Sequence, residues 1–219
     1  MNKLIVVATS HELNWLIKNA KCNLIEPNRG FIQHNALKIP FVVTGMGISN
    51  TLLNLPLFIK EYQPELIINS GICGSTTKKL EVYKSYSVES DCYADIAIVR
   101  ENQTIFLHND ETAASQAQAF FSDIDISKYL NEVIGIKGVT VSTFYNLPLH
   151  ERPKIYQINN DCIETMEGAA IFQIANMFQI KACVLRTVSN FVWQKQSEWD
   201  TAKAVENNNK LLLRLIDAL

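Results

Sequence analysis

Four apolar runs in this chain each give way to a cluster of small or polar residues, and that repetition limits the fold more than any other feature. Leu4 to Ala8 leads into Thr9-Ser10-His11-Glu12, and Ile39 to Thr44 into Gly45-Met46-Gly47-Ile48-Ser49-Asn50. Pro64 to Asn69 leads into Ser70-Gly71-Ile72-Cys73-Gly74-Ser75, and Ala182 to Val188 into Ser189-Asn190. Short continuous runs rich in β-branched residues read as strands buried on both faces. Leu13, Leu16, Ile17 and Ala20 then recur at helical spacing, and a helix is expected from the Gly45–Gly47 loop to about Tyr62. Strands alternating with helices predict an α/β fold. In such sheets ligands bind beyond the carboxyl ends of the strands, so the four clusters are expected at one site.

The stretch Asp161 to Asn190 carries the densest information. Glu164, Thr165, Met166 and Glu167 place a carboxylate on either side of a methionine, and the run enters a helical pattern with Ala170, Ile171, Ile174, Ala175 and Phe178 on one apolar face. The next strand, broken by Arg186, ends in Ser189-Asn190, a turn-prone pair. Glu167 at a helix start and Asn190 past a strand end are placed to converge on one small molecule. Each candidate has a plainer reading. Glu12 with Thr9 matches a capping box, in which the side chains satisfy free backbone N–H groups; it also suits a general base facing the ligand crevice. Gly45-Met46-Gly47 is an ordinary tight turn or a set of N–H donors for an anion or a ribose. Glu167 is a first-turn acid on a helix dipole or a ligand to substrate. Asn190 closes an Asx turn or recognises a ligand.

The remainder reads as one domain, residues 1–219, with no repeat, low-complexity tract or linker. Phe31 to Leu37 pairs with Ile39 to Thr44 as a hairpin. Tyr83 to Glu89, Asp95 to Val99, Thr104 to Leu107 and Val133 to Val141 are strand-like, with Glu101-Asn102 as a turn. Ala113 to Phe121 is a candidate helix. Pro148 and Pro153 keep any helix in Leu147 to Gln157 short. Trp193 and Trp199 lie in a polar loop, and Thr201 to Leu219 is an amphipathic helix with Val205, Leu212, Leu213 and Ile216 inward.

Composition narrows the class. With 219 residues and a formal net charge of −2, the chain has no electrostatic footprint for nucleic acid or an acidic membrane. No apolar run approaches the ~20 residues of a membrane span. The first apolar run is too short for a signal-peptide core and runs into Ser10-His11-Glu12, so a cytoplasmic protein is expected. The five cysteines are scattered with no CxxC, which points to reduced thiols and away from a zinc site.

Together the opening strand with Glu12, GMGISN, INSGICGS, ETMEGAA and LRTVSN with its following tryptophan loop resemble the purine nucleoside phosphorylase and nucleosidase superfamily of the methylthioadenosine nucleosidase type. Within it the chain looks most like the futalosine hydrolases. ETMEGAA followed by a short helix and R-x-x-S-N is the specific part. The resemblance implies a three-layer-like α/β fold, with a mixed, partly barrel-like central sheet surrounded by helices. It implies cleavage of a purine nucleoside, as in futalosine to hypoxanthine and dehypoxanthine futalosine in menaquinone biosynthesis, with no cofactor or metal. It also implies a homodimer.

Residue by residue, the resemblance makes Glu12 the base that activates water, Glu167 the ligand of the ribose hydroxyls, and Met166 and Thr165 neighbours of sugar or base. Arg186 falls near the water site, against a plainer reading as a strand-edge salt bridge. Gly47, Gly71, Ile72, Ser189, Phe144 and Trp193 are expected to line the pocket, although Phe144 equally suits the core. Asn190 stands where adenine-specific relatives have an aspartate. Its amide offers a donor and an acceptor, which matches N7 and the 6-oxo group of hypoxanthine or guanine. Trp193, Trp199 and Lys195 are expected around the 5′ substituent. That loop is poorer in arginine than in futalosine hydrolases, and Ile72 replaces a serine of adenine-specific relatives. The first loop and the Gly71 loop lack the arginines that phosphate needs, and Glu12 repels it, so water is the expected nucleophile. A phosphorylase, an adenine-type nucleosidase and a non-catalytic nucleoside binder are the alternatives.

Overall fold

The computed structural model describes residues 1–19, 21–101, 103–107, 119–144 and 161–219. Most of the expected helix at 113–121, all of the segment 147–157, and residues 20 and 102 lie outside these.

The elements run in chain order. β1 is Lys3–Val7, followed by a 3-10 turn Ser10–Leu13 and α1, Asn14–Lys18. β2 (Cys22–Glu26), β3 (Arg29–His34) and β4 (Leu37–Val43) precede α2, Ile48–Tyr62. β5 is Leu66–Ser75, β6 Ser85–Asp91, β7 Ala97–Arg100, β8 Gln103–Phe106 and β9 Phe120–Phe121. β10 (Ile134–Thr140) and β11 (Cys162–Thr165) lead to α3, Gly168–Phe178; β12 (Lys181–Phe191) and α4 (Thr201–Ala218) follow.

Among the described residues, ten strands form one mixed sheet in the order β11-β10-β6-β12-β5-β1-β4-β3-β2, with β9 paired to β6. A further antiparallel pairing joins β11 to β5 through Ile163 with Ser75 and Glu164 with Gly74. That pairing closes β5, β12, β6, β10 and β11 into a ring, which is the barrel-like part of the sheet. Alternation along β1 divides the core. Leu4 and Val6 pack with α2 and α3 through Leu55, Phe58, Ile171 and Phe172. Ile5 and Val7 face the other layer, Leu13, Leu16, Leu212 and Ile216. Both faces are covered, so these strands carry no polar alternation.

Two expected loops are strand. β5 continues through Asn69–Ser75 and β12 through Ser189-Asn190. The two stay paired along their length, from Lys181 with Leu66 to Phe191 with Ser75, with a bulge between Val188 and Asn190. Small residues mark these segments because other groups crowd against them, not because the chain turns. Glu164 and Thr165 likewise belong to β11, and the helix starts only at Gly168.

Candidate active site

Glu12 sits where β1 ends, in the 3-10 turn before α1, and is 9% exposed. Its Oε2 accepts from the N–H groups of Ala8 at 2.8 Å and Thr9 at 3.2 Å. Its Oε1 accepts from the N–H of Ile72 on β5 at 3.1 Å. The Thr9 bond is the glutamate half of a capping box, so the local role and the site coexist in one carboxylate orientation. Gly71 makes room for this: a Cβ there would stand 2.0 Å from Glu12 Oε1. Gly71 shapes the site from behind the carboxylate and does not line the cavity.

Glu167 lies between β11 and α3, 7% exposed. Its Oε1 accepts from the N–H of Gly47 at 2.8 Å. Gly47 adopts φ +91, a left-handed region that favours glycine, at the start of α2. Gly47 does not line the cavity and serves the site through its N–H on Glu167, while its neighbour Met46 does line it. Burial, and then the charge of Glu12, push the Glu167 carboxyl up to about 7, against the pull of Arg186.

Asn190 is 4% exposed on β12. Its Nδ2 donates to the carbonyl of Phe191 at 3.0 Å, and its Oδ1 accepts from the Ser189 hydroxyl at 2.8 Å. One proton and one lone pair remain for a ligand. No Asx turn forms, since the chain stays extended here.

These groups meet in one cavity of about 1070 Å³. Glu12, Glu167, Met166, Thr165, Ser189 and Asn190 line it, with Ile72, Cys73 and Gly74 of β5. Phe144 lines it too, edge-on to Trp199 at 5.1 Å between ring centroids. Trp15 and Lys18 of α1, Gln196, and Lys203 and Glu206 of α4 also line it.

Three further expectations are displaced. Trp193 stacks on Phe191, with ring centroids 4.9 Å apart and planes at 1°, and does not line the cavity; Trp199 does. Lys195 is likewise outside the lining, and Lys18 and Lys203 are the lysines there. Arg186 is neither at a strand edge nor on the cavity wall. It is 2% exposed in a strand flanked by β5 and β6. Its guanidinium bonds Asn69 Oδ1 and the Leu185 carbonyl. From there its charge still favours ionised Glu167 and Asp91.

Sequence reasoning missed the cavity face of α1 and the contribution of α4. His11, Trp15 and Lys18 recur at helical spacing, a usable signal; α4 gave one only for its apolar side. Among the described residues no group of three or more His, Cys, Asp or Glu is arranged to hold a metal ion, and no helix is long and apolar enough to cross a membrane.

Comparison with known proteins places this geometry. The chain is 25% identical over 234 residues, covering 99% of both chains, to a 5′-methylthioadenosine/S-adenosylhomocysteine nucleosidase of Hydrogenovibrio crunogenus. Its fold is similar to the futalosine hydrolase of Helicobacter pylori, with a TM-score of 0.78, 14% identity and coverage of 99% of this chain and 97% of that one. It is also similar to the 5′-methylthioadenosine/S-adenosylhomocysteine nucleosidase of Neisseria meningitidis in complex with methylthio-immucillin-A, with a TM-score of 0.79, 17% identity and full coverage of both chains. The sequence profile of the Phosphorylase superfamily matches residues 3–217, and the chain belongs to that superfamily.

Proposed function

We propose that this chain is a purine nucleosidase that cleaves the N-glycosidic bond with water. The observation that carries the reading is the pair of buried carboxylates, Glu12 and Glu167, on the wall of one cavity that also exposes Asn190. Bond cleavage sends an electron pair to the departing purine and leaves a cationic sugar. Glu167 accepts hydrogen bonds from the ribose hydroxyls and, as an anion, stabilises the cation. Glu12 takes a proton from water as the water oxygen bonds to the sugar carbon, and the departing purine takes up a proton at N7 from solvent. The two negative groups disfavour phosphate at that position.

Asn190 favours a 6-oxopurine. Its donor meets the 6-oxo group and its acceptor meets a protonating N7, whereas the 6-amino group of adenine puts donor against donor. Futalosine is then the leading substrate. Trp15, Trp199, Lys18 and Lys203 give its aryl and carboxylate groups aromatic and cationic neighbours. A second reading is methylthioadenosine or adenosylhomocysteine as substrate. The names of the relatives weigh towards it, in the full-length Hydrogenovibrio protein and the Neisseria structure. Asn190 alone keeps the 6-oxopurine in front.

The same proposal includes a homodimer, supported by exposed apolar side chains on α2 and α3, and a cytoplasmic location, supported by five free cysteines. The test is release of free base from futalosine, aminofutalosine, inosine and methylthioadenosine, each with and without phosphate. Hypoxanthine from futalosine without phosphate is the expected result. Adenine release moves the substrate to the second reading, phosphate dependence replaces water by phosphorolysis, and no release from any substrate overturns the nucleosidase.

A further inference from the structure

Three consecutive asparagines stand in α4, and each side chain bonds to backbone elsewhere in the chain. Asn207 Nδ2 donates to the Tyr83 carbonyl at 3.1 Å. Asn208 is 1% exposed and Asn209 0%, an unusual depth for amides on an amphipathic helix. Asn208 Nδ2 donates to the Gly71 carbonyl at 3.0 Å and reaches Thr187 Oγ1 at 3.2 Å, while its Oδ1 accepts from the Ser70 hydroxyl at 2.6 Å. Asn209 Nδ2 donates to the carbonyl of Glu12 itself at 2.6 Å, and its Oδ1 accepts from the Leu16 N–H at 3.3 Å.

These contacts bracket one functional group. The Glu12 carboxylate hangs between two pieces of backbone: Ala8-Thr9 at the end of β1, and Ile72 on β5. Asn209 fixes the backbone that carries Glu12, and Asn208 fixes the peptide next to Ile72. We propose that Asn208 and Asn209 are positioning residues that hold Glu12 in register between β1 and β5, so that its carboxylate keeps one orientation toward the cavity. Neither asparagine lines the cavity. Their effect passes through Glu12, and this rests on the reading of Glu12 as the base. The mechanism is steric and directional: a base displaced by about 1 Å from the attacking water loses on the order of 10²-fold in rate.

The experiment compares wild type, Asn209→Ala, Asn209→Ser, Asn208→Ala, Glu12→Gln and the double variant Asn209→Ala/Glu12→Gln. Steady-state rates are read with the nucleoside that the wild type cleaves. Asn209→Ala is expected to lower kcat at least tenfold with KM within threefold, and Asn209→Ser, which keeps a donor, to recover part of the loss. In the Glu12→Gln background the same change is expected to cost less than twofold, because a residue acting through Glu12 has nothing left to position. Equal losses in both backgrounds, or a folded Asn209→Ala enzyme with wild-type kcat, overturn the proposal. If Asn209→Ala fails to fold, Asn209→Ser and Asn208→Ala carry the comparison. Amide hydrogen exchange separates this inference from the function it rests on. Thr9 and Ile72 are expected to exchange at least tenfold faster in the asparagine variants, with Ile68 and Val184 unchanged, whether or not any nucleoside is cleaved. Unchanged exchange at Thr9 and Ile72 overturns it independently of activity.

Discussion

At the scale of single residues, an amide and a carboxylate make separable statements. Asn190 has one hydrogen-bonding position spent on Phe191 and one on Ser189, leaving a donor and an acceptor for a base. Asn190→Asp keeps the shape and replaces the donor by an acidic group. The ratio of kcat/KM for adenine over hypoxanthine nucleosides is therefore expected to rise at least tenfold, and an unchanged ratio removes Asn190 from base recognition. Glu167 titrates at about 7 because burial and the charge of Glu12 both oppose its ionisation. Only the ionised form offers both oxygens as acceptors to ribose, so kcat/KM is expected to fall as pH drops through about 7. In Glu12→Gln the second cause is gone, and the acid limb of nucleoside affinity should move to lower pH. Calorimetric titrations of both proteins from pH 5 to pH 9 read that displacement, and coincident limbs contradict it.

At the scale of elements, the start of α3 shows how a buried network supports Glu167. Asp91 at the end of β6 accepts from Thr140 Oγ1 at 2.9 Å, and Thr140 Oγ1 accepts from the Ala169 N–H at 2.8 Å. Thr165 Oγ1 accepts from the Gly168 N–H at 3.1 Å. Burial raises the Asp91 carboxyl to about 7, and its Oδ2 has no hydrogen-bond partner among the described residues. A carboxyl whose folded pKa exceeds its unfolded one favours folding while protonated. Its contribution is complete below the unfolded value and is lost as pH rises through about 7. The midpoint of thermal unfolding is expected to fall between pH 5 and pH 8, and Asp91→Asn to flatten that slope; a slope unchanged by the variant refutes the assignment. Legibility from the sequence follows the same physics. β1, the first part of β5 and β12 were readable because two covered faces demand an unbroken apolar run. β2 was not, since only Cys22 of its five residues is buried. The later half of β5 and the last residues of β12, from Ser189, were misread as loops because small and polar residues carry no hydrophobic signal; Gly71 obeys close approach to Glu12 instead. Glu12, Glu167 and Asn190 were found through motif and resemblance, and they do share a cavity. Asn208 and Asn209 gave no local signal, because their partners lie far away in sequence.

At the scale of the whole molecule, ring closure by β11 on β5 leaves the cavity walled by paired strands, with the open rims of the sheet elsewhere. Several of the most exposed apolar side chains lie on the neighbouring helices α2 and α3, Leu53 at 69% and Leu57 at 64% on α2 and Met177 at 71% on α3; others, such as Val99 at 76% on β7, lie elsewhere. Met46, 60% exposed, lines the cavity just ahead of α2. A partner copy seated on this surface would cover apolar area and approach the substrate entrance. Light scattering is expected to report a dimer for the wild type and a monomer for Leu53→Arg/Leu57→Arg, with the nucleosidase rate falling as the dimer is lost; an unaltered mass shows that the contact lies elsewhere. The bond from Asn209 to Glu12 has a further consequence, in time. It spans 197 positions of the chain. On a ribosome that glutamate is made well before the amide that bonds its carbonyl, with β2 to β12 all added in between. Under the roles proposed for Glu12 and Asn209, a nascent chain carries the base before it can aim it, and competence switches on with the arrival of one helix.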